Sequence, residues 1–170
     1  MTDRLENLNL GVNLGWLEQG AGFGGRPIPE MTADLQRVAA VANALSYRDF
    51  ASLVDGAAGA LNTSQSPGSA LGQVQSLITL FQGQASGIGA AALNLGIVLG
   101  WFQQGARADN RPVSLATGDL ESARTHATSA GYESFDGYIG NALTKLTGGQ
   151  PVASALPEAT ALIGLFQGQA

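Results

Sequence analysis

The chain has 170 residues, with eight Lys and Arg against 13 Asp and Glu and a net charge of −5. That balance excludes the basic surface that supplies most nucleic-acid affinity, and it opposes binding to anionic membranes. Cysteine is absent, which removes disulfides, thiolate metal sites and a cysteine nucleophile, while 12% charged residues and 24 glycines favour close backbone approach and broad neutral surfaces.

The amino terminus, MTDRLENLNL, carries charges of both signs with no apolar run behind them. It lacks the form of a secretory signal, and a cytoplasmic location is expected. The next segment has two readings. Leu8, Leu10, Val12, Leu14 and Trp16 alternate with Asn9, Gly11, Asn13 and Gly15, the pattern of a strand. On a helical wheel, Leu8, Val12 and Trp16 share one side and Leu10, Leu14 and Leu17 another, as in a central helix buried on two faces. Helix is preferred, because Ala90-Ala91-Ala92-Leu93 leads a second version of the segment with strong helix formers. The helix also gives Gly11 and Gly15 a purpose. Spaced by four, they make a flat stripe on which another backbone can pack, and Gly96 and Gly100 repeat it.

The stretch GAGFGGRP at 20–27 has glycines and an arginine but no Lys-Ser/Thr and no strand–loop–helix frame. It is expected to be a flexible connector rather than a phosphate loop. Pro27 and Pro29 then stiffen the entry to a helix with apolar residues at Met31, Leu35, Val38, Ala42 and Leu45 and Thr32 near its start. A further helix is predicted from Tyr47, Phe50, Val54, Ala57 and Leu61, stopped by NTSQSPG. A last helix ends in LFQGQ.

From residue 86 the whole pattern recurs in register, with 32 of 85 positions identical and no insertion or deletion. NLGIVLGWFQQGA faces NLGVNLGWLEQGA, Arg111-Pro112 faces Arg26-Pro27, and LFQGQA closes both halves. Tyr132, Phe135, Ile139, Ala142 and Leu146 repeat one helical stripe, and TGGQP the breaker after it. Pro157 and Glu158 suit the first turn of the final helix. The nearly apolar run 88–102 is 15 residues long, short of the roughly 20 that span a bilayer, and is expected to be a buried central helix. An 85-residue unit alone buries a smaller share of its surface than a joined pair, and no linker separates the halves. The predicted fold is therefore all-α: a tandem duplication of an 85-residue four-helix unit, residues 1–85 and 86–170, fused into one pseudo-two-fold helical bundle of about eight helices.

Catalytic chemistry is sparse. The single histidine, His126, stands where the first half has Val41, and Glu121 is five residues from it rather than the three that di-iron helices use. No metal or cofactor is expected, and an enzyme relying on Tyr, Asp and Arg for positioning alone is a minor reading beside a carbohydrate-binding module. The polar residues that occur in equivalent pairs carry more information. Asn9 and Asn94, inside the most apolar segments, are expected to be buried amides needing partners. Arg26 with Asp34 is expected to form a loop-to-helix ion pair, and both residues recur in the second half as Arg111 and Asp119. Trp16 and Trp101 are the only tryptophans. They predict a cleft at the seam between the halves, walled by both indoles and oriented by Asn9, Asn94, Gln19 and Gln104, with Tyr47 and Tyr132 adding to it. The expected function is non-enzymatic binding of a small, mostly apolar or planar uncharged molecule, for sequestration or carriage. The alternative is a structural protein whose low-charge helical faces associate with each other as a homo-oligomer.

Overall fold

In the computed structural model, which describes residues 2–169, both alternating segments are helical. α1 spans Thr2–Phe23, α2 Ile28–Ala44, α3 Ala51–Ser64 and α4 Leu71–Gln84. α5 spans Gly87–Ala108, α6 Val113–Ser129, α7 Asp136–Thr147 and α8 Leu156–Gly168. Among the described residues 83% are helical, in these eight α-helices and two short 3-10 turns, and none forms a strand. Helix wins over strand in α1 because every wheel face finds cover: Leu8, Leu10, Leu14 and Leu17 are fully buried. The glycines that mimic the polar half of a strand are contact surface instead.

That contact defines the centre of the molecule. A methyl group on Gly11 would lie 2.9 Å from the Gly96 Cα, and one on Gly15 would lie 2.7 Å from the Gly100 Cα. Each also meets backbone of the opposite helix, including the carbonyls of Leu93 and Ile97. Because Gly11 meets Gly96 and Gly15 meets Gly100, α1 and α5 run side by side in the same direction. Such backbone-to-backbone packing is open only to residues without a Cβ.

Two apolar cores flank this pair. One gathers α5 to α8 around Phe102 and Phe166 and takes Leu8 and Val12 from α1. The other gathers α1 to α4 around Met31 and Phe81 and takes Leu93 and Ile97 from α5. α1 and α5 thus serve both cores.

Three boundaries differ from the sequence expectation. Tyr47 and Tyr132 precede α3 and α7 rather than beginning them, since Ser46, Asp49 and Ser134 take left-handed backbone (φ 61°, 68° and 64°) that breaks helical continuity. One turn of 3-10 helix leads directly into each of α4 and α8, Pro67–Ala70 and Val152–Ala155. The glycine-rich connector is shorter than expected, because 20–23 remain in α1 and only Gly24 and Gly25, at φ 79° and 82°, turn the chain toward α2. Among the described residues no helix is long and apolar enough to cross a membrane.

Candidate functional site: two tryptophan pockets

Trp16 leaves α1 half-buried, and its indole N–H donates to Gln103 Oε1 on α5 at 2.9 Å. Behind it, Arg26 is fixed by a two-pronged pair with Asp34, at 2.6 Å from Nε and 2.8 Å from Nη2. The remaining Nη1 of Arg26 donates to Gln104 Oε1 at 2.8 Å, joining α2 to α5. Asp34 is fully buried and also accepts from Arg37 at 2.5 Å. The Arg26 and Arg37 guanidinium carbons lie 4.9 and 5.9 Å from the Trp16 ring centre, within cation–π range. In front of these groups is a pocket of about 420 Å³ between α1, α2, α5 and α8. Arg107 closes one edge through paired bonds to Glu30 at 2.6 and 2.8 Å. That contact lowers the Glu30 carboxyl below its ordinary pKa. Trp16 and Arg37 also line a second hollow of about 530 Å³, with Asn9, Val12 and Val41.

The same arrangement recurs around Trp101. Its indole N–H donates to Glu18 Oε1 at 2.7 Å. Arg111 is held by Asp119 at 2.5 and 2.8 Å and reaches across to Gln19 Oε1 at 2.7 Å. The Arg111 guanidinium carbon is 5.3 Å from the Trp101 ring centre. This pocket is smaller, about 210 Å³, and is lined by Phe23, Leu71 and Gln75 beside the groups just named. Position by position it matches the Trp16 pocket at an offset of 85: Glu18 for Gln103, Gln19 for Gln104, Leu71 for Leu156 and Gln75 for Thr160. Asp119 lacks the second arginine that Asp34 has, because Ser122 stands in the place of Arg37. Burial then outweighs the pull of Arg111 and pushes the Asp119 carboxyl up to about 6.

The structure therefore replaces the expected single cleft by two pockets. The indoles of Trp16 and Trp101 line separate hollows, since the glycine contact of α1 with α5 fills the space between them. Gln19 and Gln104, expected to orient a ligand, are buried, and each accepts from the arginine of the other half. Asn9 and Asn94 are half-buried at the surface rather than in the core. Asn9 accepts from Gln167 and Asn94 from Gln82, each at 3.0 Å, so both tie a central helix to the last helix of the opposite half. Asn9 reaches the hollow beside Trp16. The buried asparagines are instead Asn7 and Asn13.

Tyr47 and Tyr132 do not join the tryptophans. The Tyr47 hydroxyl donates to Asn7 Oδ1 at 2.6 Å, near the start of α1. At 1.5 Å of rise per residue, that is about 14 Å along the helix from Trp16. Tyr132 is buried against Phe166, ring centres 4.7 Å apart, under the Arg4 guanidinium. His126 is half-buried on α6, and burial lowers its pKa. No group of three or more His, Asp or Glu among the described residues is placed to hold a metal ion.

Arg37, Arg107, Glu30 and Gln103 are site residues that identical pairs did not reveal. They stand at positions where the halves differ, and the signal that finds them is a change of charge at matched positions. Comparison of the chain with protein-family models, with curated proteins and with solved structures returns no match.

Proposed function

We propose that the chain is a tandem duplication of a four-helix unit, its copies fused about a pseudo-two-fold axis between α1 and α5, and that it is a non-enzymatic binding protein. Each tryptophan pocket takes a small molecule with an apolar, planar part, and the protein sequesters or carries it. The observation that carries this reading is the matched pair of pockets. In both, a half-buried indole, an arginine with a covered side chain and a glutamine from the opposite half recur at the same positions around an open volume. A pocket with a ring wall and a few fixed polar groups is the usual form of a small-molecule site. Because each pocket draws side chains from both halves, binding requires the fused pair.

The test is native mass spectrometry of protein purified gently from its own source, beside the same sample denatured. Bound mass that leaves on denaturation supports the reading and identifies the ligand class. Protein without bound mass, together with no change in Trp16 or Trp101 fluorescence on titration with neutral aromatic compounds, overturns it. A second reading, self-association, draws on exposed Phe23 at the end of α1 and exposed Val113 and Leu115 in the first turn of α6. Sedimentation showing assembly that is lost in a Phe23→Ser, Leu115→Ser double variant would favour it.

A further inference from the structure

The two pockets have matched frames and unmatched charge. Three guanidinium groups face the Trp16 pocket, those of Arg26, Arg37 and Arg107, against the single carboxylate of Glu30. The Trp101 pocket has one arginine, Arg111, against the carboxylate of Glu18. The positions equivalent to Arg107 and Arg37 are Gly22 and Ser122, and Glu18 replaces the neutral Gln103. Adding the aspartate behind each buried arginine leaves the Trp16 pocket net positive and the Trp101 pocket net negative.

We infer that the Trp16 pocket is a site for a planar aromatic anion of the aromatic-carboxylate class, while the Trp101 pocket takes a neutral ring. This rests on the binding reading above and adds the ligand's charge to it. Arg107 shows how the carboxylate is held. Its two terminal nitrogens already grip a carboxylate, that of Glu30, in the paired geometry that guanidinium groups form best. Both partners are open to solvent, with side chains 46% and 38% exposed, and an exposed pair of this kind contributes little to stability. A ligand carboxylate can therefore take the place of Glu30 at small cost. The displaced Glu30 keeps a cation within reach, because its Oε1 already lies 3.3 Å from Nη1 of Arg26. Arg37, half-exposed and anchored by Asp34 and by Asn13 Oδ1 at 3.0 Å, adds positive potential to the same pocket. The indole N–H of Trp16 is engaged by Gln103, so Trp16 offers the ligand ring surface rather than a donor.

The two indole N–H signals of the nitrogen-15-labelled full chain report on the two pockets separately in a proton–nitrogen correlation spectrum, with Trp101→Phe assigning them. The chain is titrated with 2-naphthoate and, separately, with 2-naphthamide, which has the same rings without the charge. The expected result is that naphthoate shifts the Trp16 signal with roughly tenfold higher affinity than naphthamide, the increment of one charge-assisted fork. The Trp101 signal shows no preference for the anion. Arg107→Gln removes most of the preference at Trp16, and Gly22→Arg creates one at Trp101. If both probes shift the Trp16 signal with equal affinity, the charge assignment is wrong while the binding reading stands. A naphthoate preference that survives Arg107→Gln also overturns it. If neither probe shifts either signal, the inference fails and the binding reading rests on the mass-spectrometric result alone.

Discussion

Arg26 and Arg111 make the same ion pair with different support, and the difference has a pH signature. Asp34 accepts from two arginines and is fully buried, whereas Asp119 accepts from Arg111 alone. Desolvation dominates at Asp119 and raises its carboxyl from 3.8 to about 6. A carboxyl whose folded pKa exceeds its unfolded value holds its proton more tightly when folded. Its contribution to stability is complete below 3.8 and is lost as pH rises through about 6. The expected outcome is that the stability of the native chain, relative to Asp119→Asn, declines across that window and is flat above it. Urea midpoints followed by circular dichroism at a series of pH values check this. A relative stability that instead rises with pH would mean that Arg111 outweighs burial and holds the carboxyl low. The residue scale also shows what sequence reasoning could reach. The ion pairs Arg26–Asp34 and Arg111–Asp119 were legible, because arginine and aspartate recur together at a spacing of eight in both halves. The link from Arg26 to Gln104 was not, since it joins residues 78 apart across a contact that exists only after folding.

α1 and α5 show why glycine is not interchangeable along one helix. At Gly15 an added methyl group meets the Gly100 Cα at 2.7 Å and the backbone of Ile97 and Trp101, and backbone cannot swing aside as a flexible side chain can. Gly15→Ala is expected to push the central helices apart and cost about 2–3 kcal/mol, the range of overpacked core substitutions. Gly118 in α6 and Gly164 in α8 are helical, and a methyl group added at either would meet nothing within 4 Å. Gly118→Ala and Gly164→Ala are expected to stabilise by roughly 0.5–1 kcal/mol each, through helix propensity alone. Thermal unfolding of the three variants separates the two roles, and a destabilised Gly118→Ala would show that propensity does not govern there. The spacing of Gly11 and Gly15 made the crossing of α1 and α5 legible, whereas alternation along the same segment left a strand as the lesser reading. What settled the choice is cover on every side, supplied by Leu93 and Ile97 on one face and by the α2 and α4 cores on another. Tyr47 and Tyr132 were misplaced because their three-residue spacing to Phe50 and Phe135 continues a helical stripe, while Asp49 and Ser134 sit in left-handed backbone that no periodicity reveals.

Neither half closes its own core. The first-half core needs Leu93 and Ile97, and the second-half core needs Leu8 and Val12. Separation would also expose both glycine stripes and strip Arg26 and Arg111 of the glutamines that satisfy them. The apolar surface uncovered where Leu93, Ile97, Leu8 and Val12 are withdrawn is the main loss, set against a small net stability for a domain of this size. Residues 1–85 and 86–170, expressed separately, are therefore expected to show little helical signal, and mixing them should restore it in a one-to-one complex. The intact chain should unfold in a single transition, with the fluorescence of Trp16 and Trp101 changing together with the helical signal. Far-UV circular dichroism of the fragments, alone and mixed, decides the matter. Two stable helical fragments that ignore each other would mean that each four-helix unit is self-sufficient. The tryptophan pockets would then be grooves between independent bodies rather than features of one fold. Folding that requires both halves would instead make each pocket as rigid as the core beneath it. Rigidity of that kind matters for binding, because a preformed ring wall and a fixed arginine spare the ligand the entropy of ordering them.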